Sequence, residues 1–600
     1  MLGTLLWIGV GVVAFSVVGW VLEARGRLPD WIDATGPLVT LETRSGLGVL
    51  DGLAGPRYRR PWRAWTNGGV IVSLSLVVGT FALVLIAGYA ATTTDAASEV
   101  AQPRNALAIP GVNDFLPLSA APEIVFGLFV GLFVHEFGHG LLARIEDVGV
   151  ESAGLIFLTV VPFGAFVGLS EADERAASTR SRNRIYAAGI ANNLALAALT
   201  LALLVALVST SIVAIPGFAV GGVAPGTPAE EAGLERGDVI TAVDGAPIDG
   251  DDDLRSALAG ANRTVDLAVE GDRDGTETVS LERSVVVAGS LAADNSVDAG
   301  PASLEPGDVI TAVDGSPVHT EREFADALAN DTHATLKTDD GETTIVAGVA
   351  VAAVADDGPL AAAGASEPDD SESLVLTHLD GERLVGADDL FDALAASDPG
   401  ETVTLEAIVD GERRTYDVTL GERDGAAFVG VTPIAGTAGI TVTDFGAAAH
   451  PSDQHLAILR GEPAADGLGS SALERVLAIA FLPFAGAIGG LSTANFAGFV
   501  GTTANVYAVT GALSSLGSGV FVIANLLYWT WWLSLLLGVF NCIPFYPLDG
   551  AKLLRTSLEG GCSRLSIPRP ETVGTVGMTL ASVLVLVAIG LVFVGPVLFG

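Results

Sequence analysis

Predominantly apolar stretches of about 18 residues or more, the length a helix needs to cross a bilayer, occur at Gly3–Leu22, Gly69–Ala90, Ile124–Leu142, Ile185–Val208, Val520–Phe540 and Val573–Leu598. Gly3–Leu22 has neither a basic n-region before it nor a small-residue cleavage site, so it reads as an anchor more than a signal peptide. Val476–Leu491 is shorter, and Phe496–Leu516 is a weak stretch rich in Gly, Ala and Thr. Between the fourth and fifth spans the pattern changes to short alternating apolar runs broken by Asp-Gly turns, which predicts strands and hairpins. There Gly237-Asp-Val-Ile-Thr-Ala-Val-Asp-Gly-Ala-Pro247 recurs as Gly307-Asp-Val-Ile-Thr-Ala-Val-Asp-Gly-Ser-Pro317, and Leu379-Asp-Gly381 begins a fainter third copy. Each copy leads into a short helix-like stretch, ending Leu254…Leu258, Phe324…Leu328 and Phe391…Leu394.

The pattern predicts an α-helical polytopic membrane protein of about six spans, or eight, carrying an α+β insert. The expected division is an N-terminal two-span region (1–120), a membrane core (121–215) and three insert modules (216–290, 291–355 and a degenerate 356–435). A linker with interfacial or re-entrant segments (436–519) and a C-terminal membrane core (520–600) follow.

Charge sharpens this division. The chain of 600 residues holds 70 acidic and 30 basic residues, a formal net charge of −40. Residues 216–470 contribute 50 of the acids and 12 of the bases, so nearly all of the excess lies in the insert. No basic stripe is present, which argues against a nucleic-acid partner. Lysine is confined to Lys337 and Lys552, the remaining basic residues being arginine. An acid excess with scarce lysine resembles proteins of salt-loving archaea, because dense carboxylates stay solvated and screened at high salt. The only cysteines, Cys542 and Cys562, exclude a disulfide framework.

Orientation follows from the arginines. Arg25, Arg27, Arg44, Arg57, Arg59, Arg60 and Arg63 lie between the first two spans, and only Arg104 between the second and third. Arg144, Arg175, Arg180, Arg182 and Arg184 lie between the third and fourth, and Lys552, Arg555, Arg564 and Arg569 follow the fifth. The positive-inside rule puts the richer loops in the cytoplasm and the acidic insert outside. Residues 471–519 then cross twice or not at all.

The third span contains His135-Glu136-Phe137-Gly138-His139. On a helix, positions i and i+4 share one face, so both imidazoles reach one Zn²⁺, with Glu136 beside them as general base. Ionisable groups inside an apolar span are costly and mark function. A catalytic zinc takes a third protein ligand and keeps one position open. Glu146 and Glu151 lie nearby, but no helical continuation of the motif reaches them. Asn541-Cys-Ile-Pro-Phe-Tyr-Pro-Leu-Asp549-Gly550 closes another span, where Pro544 and Pro547 break the helix and Asp549 can face a polar cavity.

With these two motifs the chain resembles the site-2 protease family of intramembrane zinc metalloproteases. The resemblance implies His135, His139 and Asp549 as zinc ligands, Glu136 as general base, and Asn541 as a residue that positions the substrate backbone. Pro162-Phe-Gly-Ala-Phe-Val167 resembles the family's membrane-inserted segment, which implies substrate contacts around Phe163 and Gly164. Ala188-Gly-Ile-Ala-Asn-Asn193 is similar to the family's A-G-P-x-x-N, with Ile190 in place of Pro. The insert modules resemble PDZ domains, which take extended peptides along a sheet edge. The expected protein is a multi-pass enzyme of the cell membrane, cutting the transmembrane helix of a single-span protein near the cytoplasmic side, with lipid as its other partner. A catalytically silent scaffold that binds peptides through its PDZ-like modules, and a metal transporter using the same ligands, are the rival readings. An intact His-Glu-x-x-His with Asp549 argues against the first. The second usually needs further midplane polar groups along a path.

Overall fold

Among the described residues, the apolar stretches fold into five helices long and apolar enough to cross a membrane. In this computed structural model the described residues are 2–29, 31–43, 47–92, 109–113, 116–159, 161–271, 275–290, 304–329, 331–339, 341–365, 374–423, 425–463, 471–486 and 494–599. The chain divides into two units, Met1–Val213 with Gln454–Val500 and Val509–Gly600, and Ala214–Asp453 with Gly501–Ala508.

The first unit holds α1 (Leu2–Ala24), α2 (Arg59–Ala90), α3 (Ala121–Ile145), α4 (Thr179–Ser211), α5 (Gly519–Phe540), α6 (Asp549–Arg564) and α7 (Pro570–Phe599). Small residues set how closely these helices approach, as expected where lipid offers no hydrophobic drive to pack. A Cβ on Gly127 of α3 would lie 2.8 Å from the Trp529 backbone of α5. One on Gly138 would lie 2.7 Å from the Asn192 side chain of α4, and one on Gly69 of α2 2.7 Å from Ala191. The motif helix α3 is therefore pressed against both α4 and α5. Between Ser471 and Gly519 the described residues form one ten-residue helix, Ala472–Phe481, short 3-10 turns and a three-residue strand, Tyr507–Val509.

Four antiparallel strands lie beside α3: β1 (Ile32–Thr35), β2 (Leu38–Thr43), β3 (Val150–Leu158) and β4 (Val161–Leu169), in that order across the sheet. Leu38 pairs with Leu158 and Gly164 with Ile156. Gly36, at φ 65°, supplies the left-handed conformation that turns β1 into β2. Thus β4 is an edge strand, paired on one side by β3.

The second unit repeats one pattern three times. The first copy has β5 (Phe218–Val223), β6 (Val239–Val243), a helix at Asp251–Ala259, β7 (Thr264–Glu270) and β8 (Glu277–Glu282). The second has β9 (Val285–Ser290), β10 (Val309–Ile310), β11 (Ala312–Val313), a helix at Glu321–Leu328, β12 (His333–Thr338) and β13 (Gly341–Val346). The third has β14 (Val349–Val354), β15 (Leu374–Leu379), a helix at Ala387–Ala395, β16 (Thr402–Val409) and β17 (Glu412–Thr419).

The chain then closes the copies in reverse order. β18 (Val431–Pro433) pairs with β14, β19 (Ile440–Thr443) with β9, and β20 (Ala447–Ala449) with β5. The cores agree: Val429 packs into the third, Ala438 and Ile440 into the second, Phe445 and Ala447 into the first. The third copy is therefore nested in the second, and both in the first. At the outer junction the buried Arg283 pairs with Asp444, and Asp444 Oδ1 accepts the Glu321 backbone N–H at 2.6 Å. At the inner one, Arg383 donates to the carbonyls of Ala347 (2.9 Å), Asp331 (3.0 Å) and Thr377 (2.9 Å).

Candidate metal centre

The helical repeat of α3 puts His135 and His139 on one face, their ring centroids 4.7 Å apart and their planes close to perpendicular. Their Nε2 atoms lie 3.1 Å from each other. Both point at Asp549, the first residue of α6, whose Oδ2 is 3.0 Å from His135 Nε2 and 2.9 Å from His139 Nε2. All three residues are buried. Donors on one tetrahedral zinc at about 2.0–2.1 Å stand roughly 3.3 Å apart, so two imidazoles and a carboxylate meeting this closely suit a metal ion. The ligand atoms of His135, Glu136 and His139 all lie within 4.8 Å of one another.

The surroundings fix the imidazoles in the form that binds metal. His139 Nδ1 donates to the Ile185 carbonyl at 2.8 Å, which leaves the Nε2 lone pair free. Asn193, buried on α4, reaches His135 Nδ1 at 3.3 Å through its Nδ2 end, and its Oδ1 has no partner among the described residues. The two ends of an amide are isosteric. The orientation that turns Oδ1 toward His135 gives both groups a bond and again leaves Nε2 as the metal-facing atom. Between the rings and α4 there is no space for a side chain: a Cβ on Gly189 would sit 2.6 Å from His139 Nε2 and 2.8 Å from His135 Nε2.

The break after α5 delivers Asp549. Pro544 and Pro547 cannot continue the helix, and the turn folds back on itself, with the Gly550 N–H donating to the Asn541 carbonyl at 2.6 Å. A Cβ on Gly550 would lie 2.4 Å from the Cys542 carbonyl oxygen, so only glycine fits there. Thr80 of α2 steadies the turn by donating to the Cys542 carbonyl at 3.2 Å.

An open cavity of about 360 Å³ is lined by His135, Glu136, His139, Asn541, Asp549 and Lys552, with Val167 and Leu169 from β4 on one wall. The structure thus brings five of the seven residues expected from the sequence to one cavity. Gly164 sits further along β4, opposite Ile156, and is not among the lining residues. The Phe163 side chain lies outside the described residues. Glu146 does not approach the imidazoles. It binds Arg63 (2.8 Å), Arg184 (3.0 Å) and the Ser181 hydroxyl (2.8 Å), while Glu151 is exposed.

Sequence reasoning assigned no role to Gly189, Asn193, the Ile185 carbonyl or Lys552. The Ala188–Asn193 motif held the signal for the first two. A backbone carbonyl has none, and Lys552 is marked only by standing three residues after Asp549.

Comparison with known proteins adds relatives. The family described as peptidase family M50 matches residues 123–587. A predicted zinc metalloprotease of Clostridium perfringens is 30% identical over 170 residues, 24% of this chain and 48% of that protein. One of Neisseria meningitidis is 28% identical over 252 residues, 34% of this chain and 55% of its own. The chain spans about half the length of these curated relatives. The crystal structure of the PDZ domain of an SdrC-like protein from Listeria monocytogenes covers 15% of this chain and 88% of its own, at 22% identity and a TM-score of 0.13.

Proposed function

This chain belongs to peptidase family M50, the site-2 protease family of zinc metalloproteases, and from that premise we propose that it is an intramembrane endopeptidase that cuts within or near the transmembrane segment of another membrane protein. The observation that carries the reading is the convergence of His135, His139 and Asp549 on one point inside a bundle of apolar helices. When bound there, zinc supplies the Lewis acidity that polarises a scissile carbonyl and activates water.

The protein's own groups do the rest. His135, His139 and Asp549 hold the metal. Glu136 accepts the proton of the attacking water and returns it to the leaving amine. A substrate helix shields its peptide bonds by internal hydrogen bonding, so it must unwind before cleavage. The edge of β4, unpaired among the described residues, brings Val167 and Leu169 to the cavity and offers an unwound strand a backbone to pair with. Asn541 faces the same cavity and is suited to hold the strand by its amide.

In this reading Phe163 and Gly164 extend that edge, and single-span membrane proteins are the substrates. The arginine distribution puts the active site toward the cytoplasmic side and residues 216–435 outside the cell. There the nested modules, read as PDZ-like, select substrates by peptide binding or by excluding bulky outer domains, and take no part in bond cleavage.

Metal analysis of three variants tests the assignment. Glu136→Gln is predicted to keep one zinc per chain and lose peptide release from a single-span substrate. His139→Ala and Asp549→Ala are predicted to lose zinc. Full zinc retention in both would sink it.

A further inference from the structure

Resting on the reading of His135, His139 and Asp549 as the zinc ligands, we propose that Lys552 is a positioning residue that makes Asp549 a one-oxygen ligand. The two carboxylate oxygens have different partners. Oδ2 faces both imidazoles at 3.0 and 2.9 Å, while Oδ1 faces the Lys552 ammonium at 3.3 Å. The Asp549 side chain is 8% exposed, so little water competes for Oδ1.

Lys552 is held from its other side as well. It stands three residues after Asp549, on the same face of α6. Its ammonium lies 5.8 Å from the centre of the Tyr186 ring, within reach of a cation–π contact. Tyr186 in turn donates its hydroxyl to Glu174. The residue before it, Ile185, is the one whose carbonyl orients His139. One short stretch of α4 therefore fixes an imidazole ligand and backs the cation that fixes the carboxylate ligand.

The chemical consequence concerns the number of donors. A carboxylate with both oxygens free can chelate, which fills a position that a hydrolytic zinc site leaves open for water or substrate. A charge-assisted bond to Oδ1 competes for that oxygen. Lys552 is also the one Lys or Arg among the described residues lining the cavity, which it shares with the carboxylates of Glu136, Glu174 and Asp549.

The test uses full-length protein loaded with cobalt(II), whose visible absorption is strong with four donors and weak with five or six. Lys552→Met and Lys552→Gln are predicted to keep one metal ion per chain but lose much of that absorption. They should also lose about tenfold or more in kcat with KM little changed, the range typical of residues that orient metal ligands. Lys552→Arg, which keeps the charge, is predicted to restore both. Asp549→Ala serves as the control for the ligand reading itself. Loss of metal in Asp549→Ala, combined with a wild-type spectrum and kcat in Lys552→Met and Lys552→Gln, overturns the role of Lys552 and leaves the zinc site standing. Retention of metal and spectrum in Asp549→Ala overturns the ligand reading.

Discussion

Gly189 shows how little room the metal centre leaves. Its missing side chain is what lets two imidazoles lie against α4, and the nearest ring nitrogen would be 2.6 Å from an added methyl carbon. Alanine favours a helix more than glycine does, so Gly189→Ala should keep or raise helix stability while displacing the rings. The expected outcome is a weakening of zinc affinity by about 10- to 100-fold, as for other groups that orient ligands, with an unchanged circular dichroism spectrum. Competition with a chelator of known affinity measures it, and wild-type affinity would refute the contact. At this scale His135, Glu136 and His139 were legible because helical geometry makes i and i+4 neighbours whatever the rest of the fold does. Asp549 could be reached only as a candidate, from the ligand count and the proline-broken span, and the resemblance made it a ligand, since nothing local ties it to a histidine 414 positions away. Gly189 and Asn193 act through packing and amide orientation, which no spacing rule encodes.

Glu146 shows what the elements contribute. It follows the last residue of α3 and ties that end to Arg63 of α2 and to Ser181 and Arg184 of α4. Burial alone would raise its carboxyl, but the Ser181 hydroxyl and the two guanidinium groups outweigh burial and hold it below the usual carboxylate range. A depressed carboxyl stabilises the fold at pH values above its unfolded pKa, and that stabilisation is lost as pH falls through the folded pKa. Glu146→Gln is therefore expected to lower thermal stability near pH 7. The loss should lie between the roughly 1 kcal/mol of an exposed pair and the roughly 3–5 kcal/mol of a fully buried one. The gap between variant and wild type should begin to narrow below about pH 4, where glutamate in the unfolded chain takes up its proton, and close once pH has fallen through the lower folded value. A gap that persists in acid would contradict the ionic account. The helices were legible from apolar runs, while the partners of Glu146 were not, because Arg63 lies 83 residues upstream. The sheet beside α3 was hidden for a similar reason. Its hairpins β1–β2 and β3–β4 are more than 100 residues apart in sequence, and each alone gives only a weak apolar signal.

Over the whole molecule, the sequence repeat disclosed three related modules but not their nesting. The closing strands β18, β19 and β20 are three or four residues long, too short to stand out in composition, and only pairing shows which module each completes. Arg283 and Asp444 flank the point where the inner copies leave and re-enter the first, and both are buried. Arg283→Met leaves Asp444 without its charged partner and is predicted to destabilise the insert by about 3–5 kcal/mol, while the double variant with Asp444→Leu recovers much of that loss. Thermal unfolding of the full chain reads the difference, and equal stability of the single variant and wild type would refute the clamp. The family match and the convergence of His135, His139 and Asp549 support a membrane zinc protease, and the claim on which the account turns is that bond cleavage happens inside the substrate's transmembrane segment. Mass-spectrometric mapping of the products tests it most directly, with purified protein and a single-span substrate reconstituted in lipid vesicles and Glu136→Gln as control. The account predicts one or a few cuts within or at the cytoplasmic edge of the apolar segment, absent with Glu136→Gln and after chelation of the metal. Cuts confined to the substrate's soluble domains, or cleavage undiminished in Glu136→Gln, would contradict it.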